Sequence, residues 1–123
     1  MSNWNPTMAL GTALSLVAHA HRRAVLYCLL ETDEPMTRDE LAARIIAWDE
    51  ATEGDPSDEV HRRVCTELAH THLPKLAAVD VIEYDTRHGD VVLTERVNDL
   101  LPLLELLRPV DDFPAETCSC PCQ

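Results

Sequence analysis

A chain of 123 residues, 46% of them apolar, has room for one compact domain and no second core. No apolar run reaches membrane-span length, and Met1 to Pro6 lacks the basic-then-apolar order of a secretory signal, so a cytoplasmic protein is expected. The formal net charge of −12, from 22 acidic residues against 10 basic ones, opposes binding to duplex phosphates unless positive charge is concentrated somewhere.

Residues 1–11 show no strong period and read as an N-terminal arm that Trp4 can anchor. From Thr12 to Glu31, Leu14, Val17, Val25, Leu26, Leu29 and Leu30 form an apolar stripe interrupted by the polar segment His19 to Arg23. That pattern predicts either one helix or a short helix leading into a main one from about His21, ended by Asp33, Glu34 and Pro35. Thr37-Arg38-Asp39-Glu40 is a capping-box pattern, in which the hydroxyl and the carboxylate satisfy each other's free amides. A second helix therefore starts there, with Leu41, Ile45 and Trp48 at helical spacing. Ala51 to Pro56 reads as a loop, and Ser57 with Asp58 and Glu59 supplies a cap and first-turn acids for a third helix.

In the third helix, about residues 57–79, Val60, Val64 and Leu68 mark the core face, while Arg62, Arg63, Thr66 and His70 fall on the opposite one. Those side chains reach phosphates and base edges. Pro74 removes the hydrogen bond to the carbonyl of His70, so a kink is predicted, after which Leu73 joins Leu76 and Ala77. Residues 60–79 hold Arg62, Arg63 and Lys75 against Glu67, a net +2 with three histidines besides, which leaves −14 for the rest. One basic helix on an acidic, lysine-poor chain suits a protein working in molar salt, where carboxylates keep it hydrated and repulsion is screened. Equally, it suits a domain that holds a basic protein partner.

Val81 to Tyr84 and Val91 to Leu93 are β-branched and apolar, and Asp85 to Asp90 between them carries turn chemistry, which predicts a hairpin over 81–93. Thr94 can cap a last helix bent by Pro102, whose six leucines between Leu100 and Leu107 exceed what one face needs. Packing on the N-terminal helix or against a second subunit would use them. From Pro109 onward, prolines, acids and clustered cysteines predict a flexible tail over 109–123.

The order helix, helix, helix, hairpin, helix defines the expected fold class, mainly α with a small β-hairpin, a winged helix-turn-helix over residues 12–108. The residues carry a resemblance to match. Val17-Ala18-His19-Ala20-His21-Arg22-Arg23-Ala24-Val25-Leu26 resembles the L-A-(N/D)-P-x-R-R-x-I-L opening of arsenic-repressor-like regulators. Thr37-Arg38-Asp39-Glu40-Leu41-Ala42 is similar to their T-x-x-E-L-A helix, and His70 to Ile82 to their S-x-H-L-x-x-L-x-x-A-G-L-V segment. A haloarchaeal group of winged-helix proteins with T-H-L-P-K-L followed by V-I-x-Y-D is similar over roughly residues 12–95. Two positions depart: Ala20 stands where the family has Pro, and Asp80 where it has a left-handed Gly, a conformation Asp tolerates better than most residues.

The resemblance implies a homodimeric DNA-binding transcriptional regulator that places two recognition helices about one DNA turn apart through its N-terminal or C-terminal helix. It implies that Arg62, Arg63, Thr66, His70 and Thr71 enter or flank the major groove, and that Arg87 and His88 at the wing tip reach phosphate or the minor groove. Arg22 and Arg23 would either touch phosphates or pair with nearby acids. His72 projects to the core side as a hydrogen-bonded interior histidine.

Winged helices also serve as protein-interaction modules, which is the alternative reading for the acidic surface. A third expectation, a thiol-based metal or redox sensor, comes from Cys118, Cys120 and Cys122, three soft ligands within five residues. A fourth ligand for a thiophilic ion would come from elsewhere, such as Cys28, Cys65 or another subunit. No Gly-rich phosphate loop, nucleophile elbow or H-E-x-x-H occurs, so no enzymatic activity is expected.

Overall fold

The computed structural model describes residues 8–32, 34–48 and 58–113. In chain order these are helices α1 (Leu10–Leu16) and α2 (Ala20–Leu30), strand β1 (Met36–Thr37), helix α3 (Arg38–Trp48) and helix α4 (Asp58–Glu67). A π-helical turn (Leu68–His72), helix α5 (Leu73–Ala78), strands β2 (Ile82–Tyr84) and β3 (Asp90–Leu93), a 3₁₀ segment (Glu95–Asp99) and helix α6 (Leu101–Asp111) follow. The architecture is mainly α with a small antiparallel sheet, that of a winged helix-turn-helix.

Of the two predicted forms of the N-terminal helical region, the short helix followed by a main one is present. The break falls at Val17–His19, where His19 is extended and its Nδ1 accepts the His21 amide, which leaves Ala20 at the first helical position where Pro is tolerated. α2 is the central helix: Ala24 through Leu29 are all buried. Leu16, Leu41, Ile45, Leu68, Leu73, Leu76, Val81, Val91, Leu100 and Leu104 pack around it in a single core.

The capping box forms as predicted, with Glu40 N donating to Thr37 Oγ1 at 3.1 Å and Thr37 N to Glu40 Oε1 at 2.9 Å. Thr37 also belongs to β1, which the sequence does not announce because two residues carry no period. β1 pairs with β3 (Met36↔Val91, Thr37↔Asp90), so the sheet order is β1-β3-β2 and the hairpin is pinned to the start of α3.

The break near Pro74 is a widened π turn just before it. Proline cannot bond the His70 carbonyl, the turn takes up an extra residue, and Leu73 rotates into the core, fully buried with Leu76. α5 then ends in a Schellman motif: Val81 N donates to Leu76 O, Asp80 N to Ala77 O, and Asp80 has φ 64°.

Three expectations at the C-terminal end are corrected. Thr94 caps the 3₁₀ segment, and Pro102 starts α6 in its first turn, where a missing N–H costs nothing, so it does not bend the helix. α6 also runs past Arg108 and through Pro109 to Asp111, so the predicted boundary at 108 falls too early. Phe113 is buried against Tyr27 and Trp48, each with ring centroids 5.3 Å from its own, which draws the chain beyond Pro109 into the core. Trp4, Ser57, the loop 51–56 and the cysteines of the tail lie outside the described residues. No helix among the described residues is long and apolar enough to cross a membrane.

Candidate functional site

α4 buries only Val64 fully, which leaves a broad polar face. Arg62 and Thr66, with His70 from the π turn, are exposed and line one open cleft of about 470 Å³ with Arg38, Cys65, Ala69, Tyr84 and Thr86. The far wall is the hairpin, so the cleft lies between the third helix and the wing. Arg38 fixes its width. Its Nη1 donates to Tyr84 Oη at 2.7 Å, and its backbone N–H donates to Gly89 O at 2.9 Å.

The wing tip is an ordered turn. Asp85 Oδ1 accepts the amides of Arg87 and His88, and Gly89 takes φ 79°, which a side chain would strain. Arg87 and His88 are both exposed there. His88 Nδ1 lies 2.8 Å from Asp85 Oδ2, a contact that raises the histidine pKa and lowers that of the carboxyl. Arg63 and Thr71 are exposed beside the cleft rather than lining it.

Arg22 and Arg23 sit elsewhere. Arg22 is buried, donating to the carbonyls of Leu16 and Ser15 at 2.9 and 2.8 Å and to His72 Nδ1 at 3.2 Å. Arg23 makes a two-pronged pair with Asp111 at 2.8 Å and donates to Val17 O at 2.7 Å. Both satisfy carbonyls left over at the end of α1, so of the two expected roles, pairing within the protein is the one observed for Arg23, and neither is positioned for an external phosphate.

His72 is an interior histidine, 3% exposed, and its ring packs on His19 at 4.3 Å between centroids. A guanidinium only donates, so Nδ1 accepts and the imidazole is neutral. Burial first, then His19 and Arg22, push its pKa down to about 4. Cys28 is buried in the core, which removes it as a ligand for an ion bound by the tail. Cys118, Cys120 and Cys122 lie outside the described residues.

Arg38, Tyr84 and Thr86 join the cleft without a signal in the sequence, because their place depends on the β1–β3 pairing. Asp39, His61 and Cys65 also converge, where the first turn of α3 meets α4. Two of its three members are legible together, since His61 and Cys65 are four residues apart on one helix face.

A family model described as a domain of unknown function, DUF7344, matches residues 14–92, which runs from the last turn of α1 through most of β3 and includes the whole cleft. No curated protein and no solved structure matches the chain.

Proposed function

We infer that this chain, which belongs to the DUF7344 family, is a DNA-binding transcriptional regulator that lays the outer face of α4 and the π turn in the major groove. The observation that carries the reading is the exposed row Arg62, Thr66 and His70, opening with Arg38 onto a cleft bounded by a wing hydrogen-bonded to α3. Arginine offers a planar fork of donors to guanine or phosphate, threonine and histidine bond base edges, and Arg87 at the wing tip is in range of the adjacent backbone. Because the rest of the chain is strongly acidic, duplex can approach on this face alone.

The active form is a homodimer. α1 leaves Leu10 and Leu14 half exposed, and α6 leaves Leu106 and Val110 70% and 78% exposed, apolar surface that a second copy would cover. Light scattering in molar KCl is expected to give twice the chain mass.

The test is a titration against fragments of the source genome in molar KCl with unrelated duplex as competitor. Selective retention of a fragment, lost in the Arg62→Glu, Arg63→Glu double variant, is the expected result. No preferred fragment, with and without reductant and zinc, would overturn the reading in favour of a protein-interaction module.

A further inference from the structure

Asp39 stands in the first turn of α3, and His61 and Cys65 stand four residues apart on α4 where it crosses that turn. Cys65 Sγ lies 3.2 Å from Asp39 Oδ1 and 3.5 Å from His61 Nε2, and His61 Nε2 lies 3.7 Å from Asp39 Oδ1. One thiol, one imidazole and one carboxylate therefore form a triangle with sides of 3.2 to 3.7 Å. Bond lengths of about 2.3 Å to sulfur and about 2.0–2.2 Å to nitrogen and oxygen, at tetrahedral angles, require sides of about 3.4–3.6 Å. The sulfur–nitrogen side meets that requirement, and the two sides to the Asp39 oxygen differ from it by about 0.3–0.4 Å, a gap that rotation of the exposed Asp39 side chain closes.

We propose that Asp39, His61 and Cys65 bind a zinc-class divalent metal ion, leaving its fourth position open to solvent. The donor set selects the ion: thiolate and imidazole suit zinc and cobalt, whereas calcium and magnesium prefer all-oxygen cages. The access fits as well, since the Asp39 side chain is 75% exposed and that of His61 39% exposed. Without metal the thiol is a hydrogen-bond donor to Asp39 Oδ1. Metal binding breaks the S–H bond, releases that proton to solvent and forms the metal–sulfur bond, with no change in oxidation state.

The ion would clip the first turn of α3 to the middle of α4. With a carboxylate and a thiolate as ligands it is neutral overall, whereas the free cluster carries the Asp39 charge, so one negative charge leaves the edge of the cleft beside Arg38 and Arg62. Only this consequence rests on the DNA-binding reading; the site itself does not.

The test is Co²⁺ titration of the full chain carrying Cys118→Ser, Cys120→Ser and Cys122→Ser, which removes competing thiols, followed by near-ultraviolet and visible absorption. One equivalent of Co²⁺ is expected to give a thiolate charge-transfer band and tetrahedral visible bands. Cys65→Ser abolishes the charge-transfer band, and Asp39→Asn and His61→Ala each weaken binding about tenfold or more. Circular dichroism shows that the variants are folded; Asp39→Asn, altering a mostly exposed side chain, serves if another variant is not. No band in the parent, a band that survives Cys65→Ser, or undiminished binding by folded Asp39→Asn would overturn the site.

Discussion

The tripeptide His-Arg-Arg occurs twice, as His21-Arg22-Arg23 and as His61-Arg62-Arg63, and the two copies have opposite fates. The first opens α2, directly after α1 has left the carbonyls of Leu16 and Val17 without helical partners and that of Ser15 with only a long bond of 3.3 Å from the Ala18 amide, and both its arginines turn inward to them. The second lies inside α4, whose carbonyls are already used along the helix, so Arg62 and Arg63 point to solvent. Identical chemistry becomes structural or available according to which backbone groups nearby are still unsatisfied.

Breaking the inner copy should cost stability most. Asp111→Ala leaves the Arg23 guanidinium, mostly buried, without its carboxylate, and also removes the acceptor of Tyr27 Oη at 2.6 Å. Chemical denaturation should record a loss of about 3–4 kcal/mol. Breaking the outer copy should do the reverse. Arg62→Glu is expected to change stability by less than about 0.5 kcal/mol while lowering affinity for a selected duplex about 100-fold.

The next effect is pH dependence of the inner region alone. Folded His72 stays neutral down to about pH 4, whereas in the unfolded chain it takes up a proton near 6.5. Protonation thus favours the unfolded state first, and stability should fall by about 2 kcal/mol as pH drops from about 6.5 towards 4, with little change above. His72→Asn should flatten that slope. The loss linked to Asp111, whose pKa is lowered chiefly by its hydrogen bond from Arg23, belongs below pH 3.8 and is separable. The smallest effect is at the wing: Arg87→Ala should weaken duplex binding about threefold and reduce the salt dependence by roughly one phosphate contact.

The legible parts of the fold are those with a local cause. Helical spacing places Val64, Leu41 and Leu104 inward, the Thr37–Glu40 pattern places the start of α3, and Pro74 places the break that brings Leu73 into the core. What depends on distant partners is not legible. β1 exists because Met36 and Thr37 meet Val91 and Asp90, and α6 extends through Pro109 because Asp111 meets Arg23, 88 residues away in sequence. The candidate site divides in the same way: Arg62, Thr66 and His70 follow from the helix period, whereas Arg38, Tyr84 and the carboxylate of Asp39 arrive from other elements.

The most direct measurement is an amide NMR titration of the 13.8 kDa chain with a duplex selected from its genome. Shifts are expected to concentrate at residues 62–71 and 84–88, with Arg22, Arg23 and Asp111 unmoved. Shifts centred on α2 and the end of α6, with the cleft residues silent, would contradict the assignment of the outer His-Arg-Arg copy to DNA.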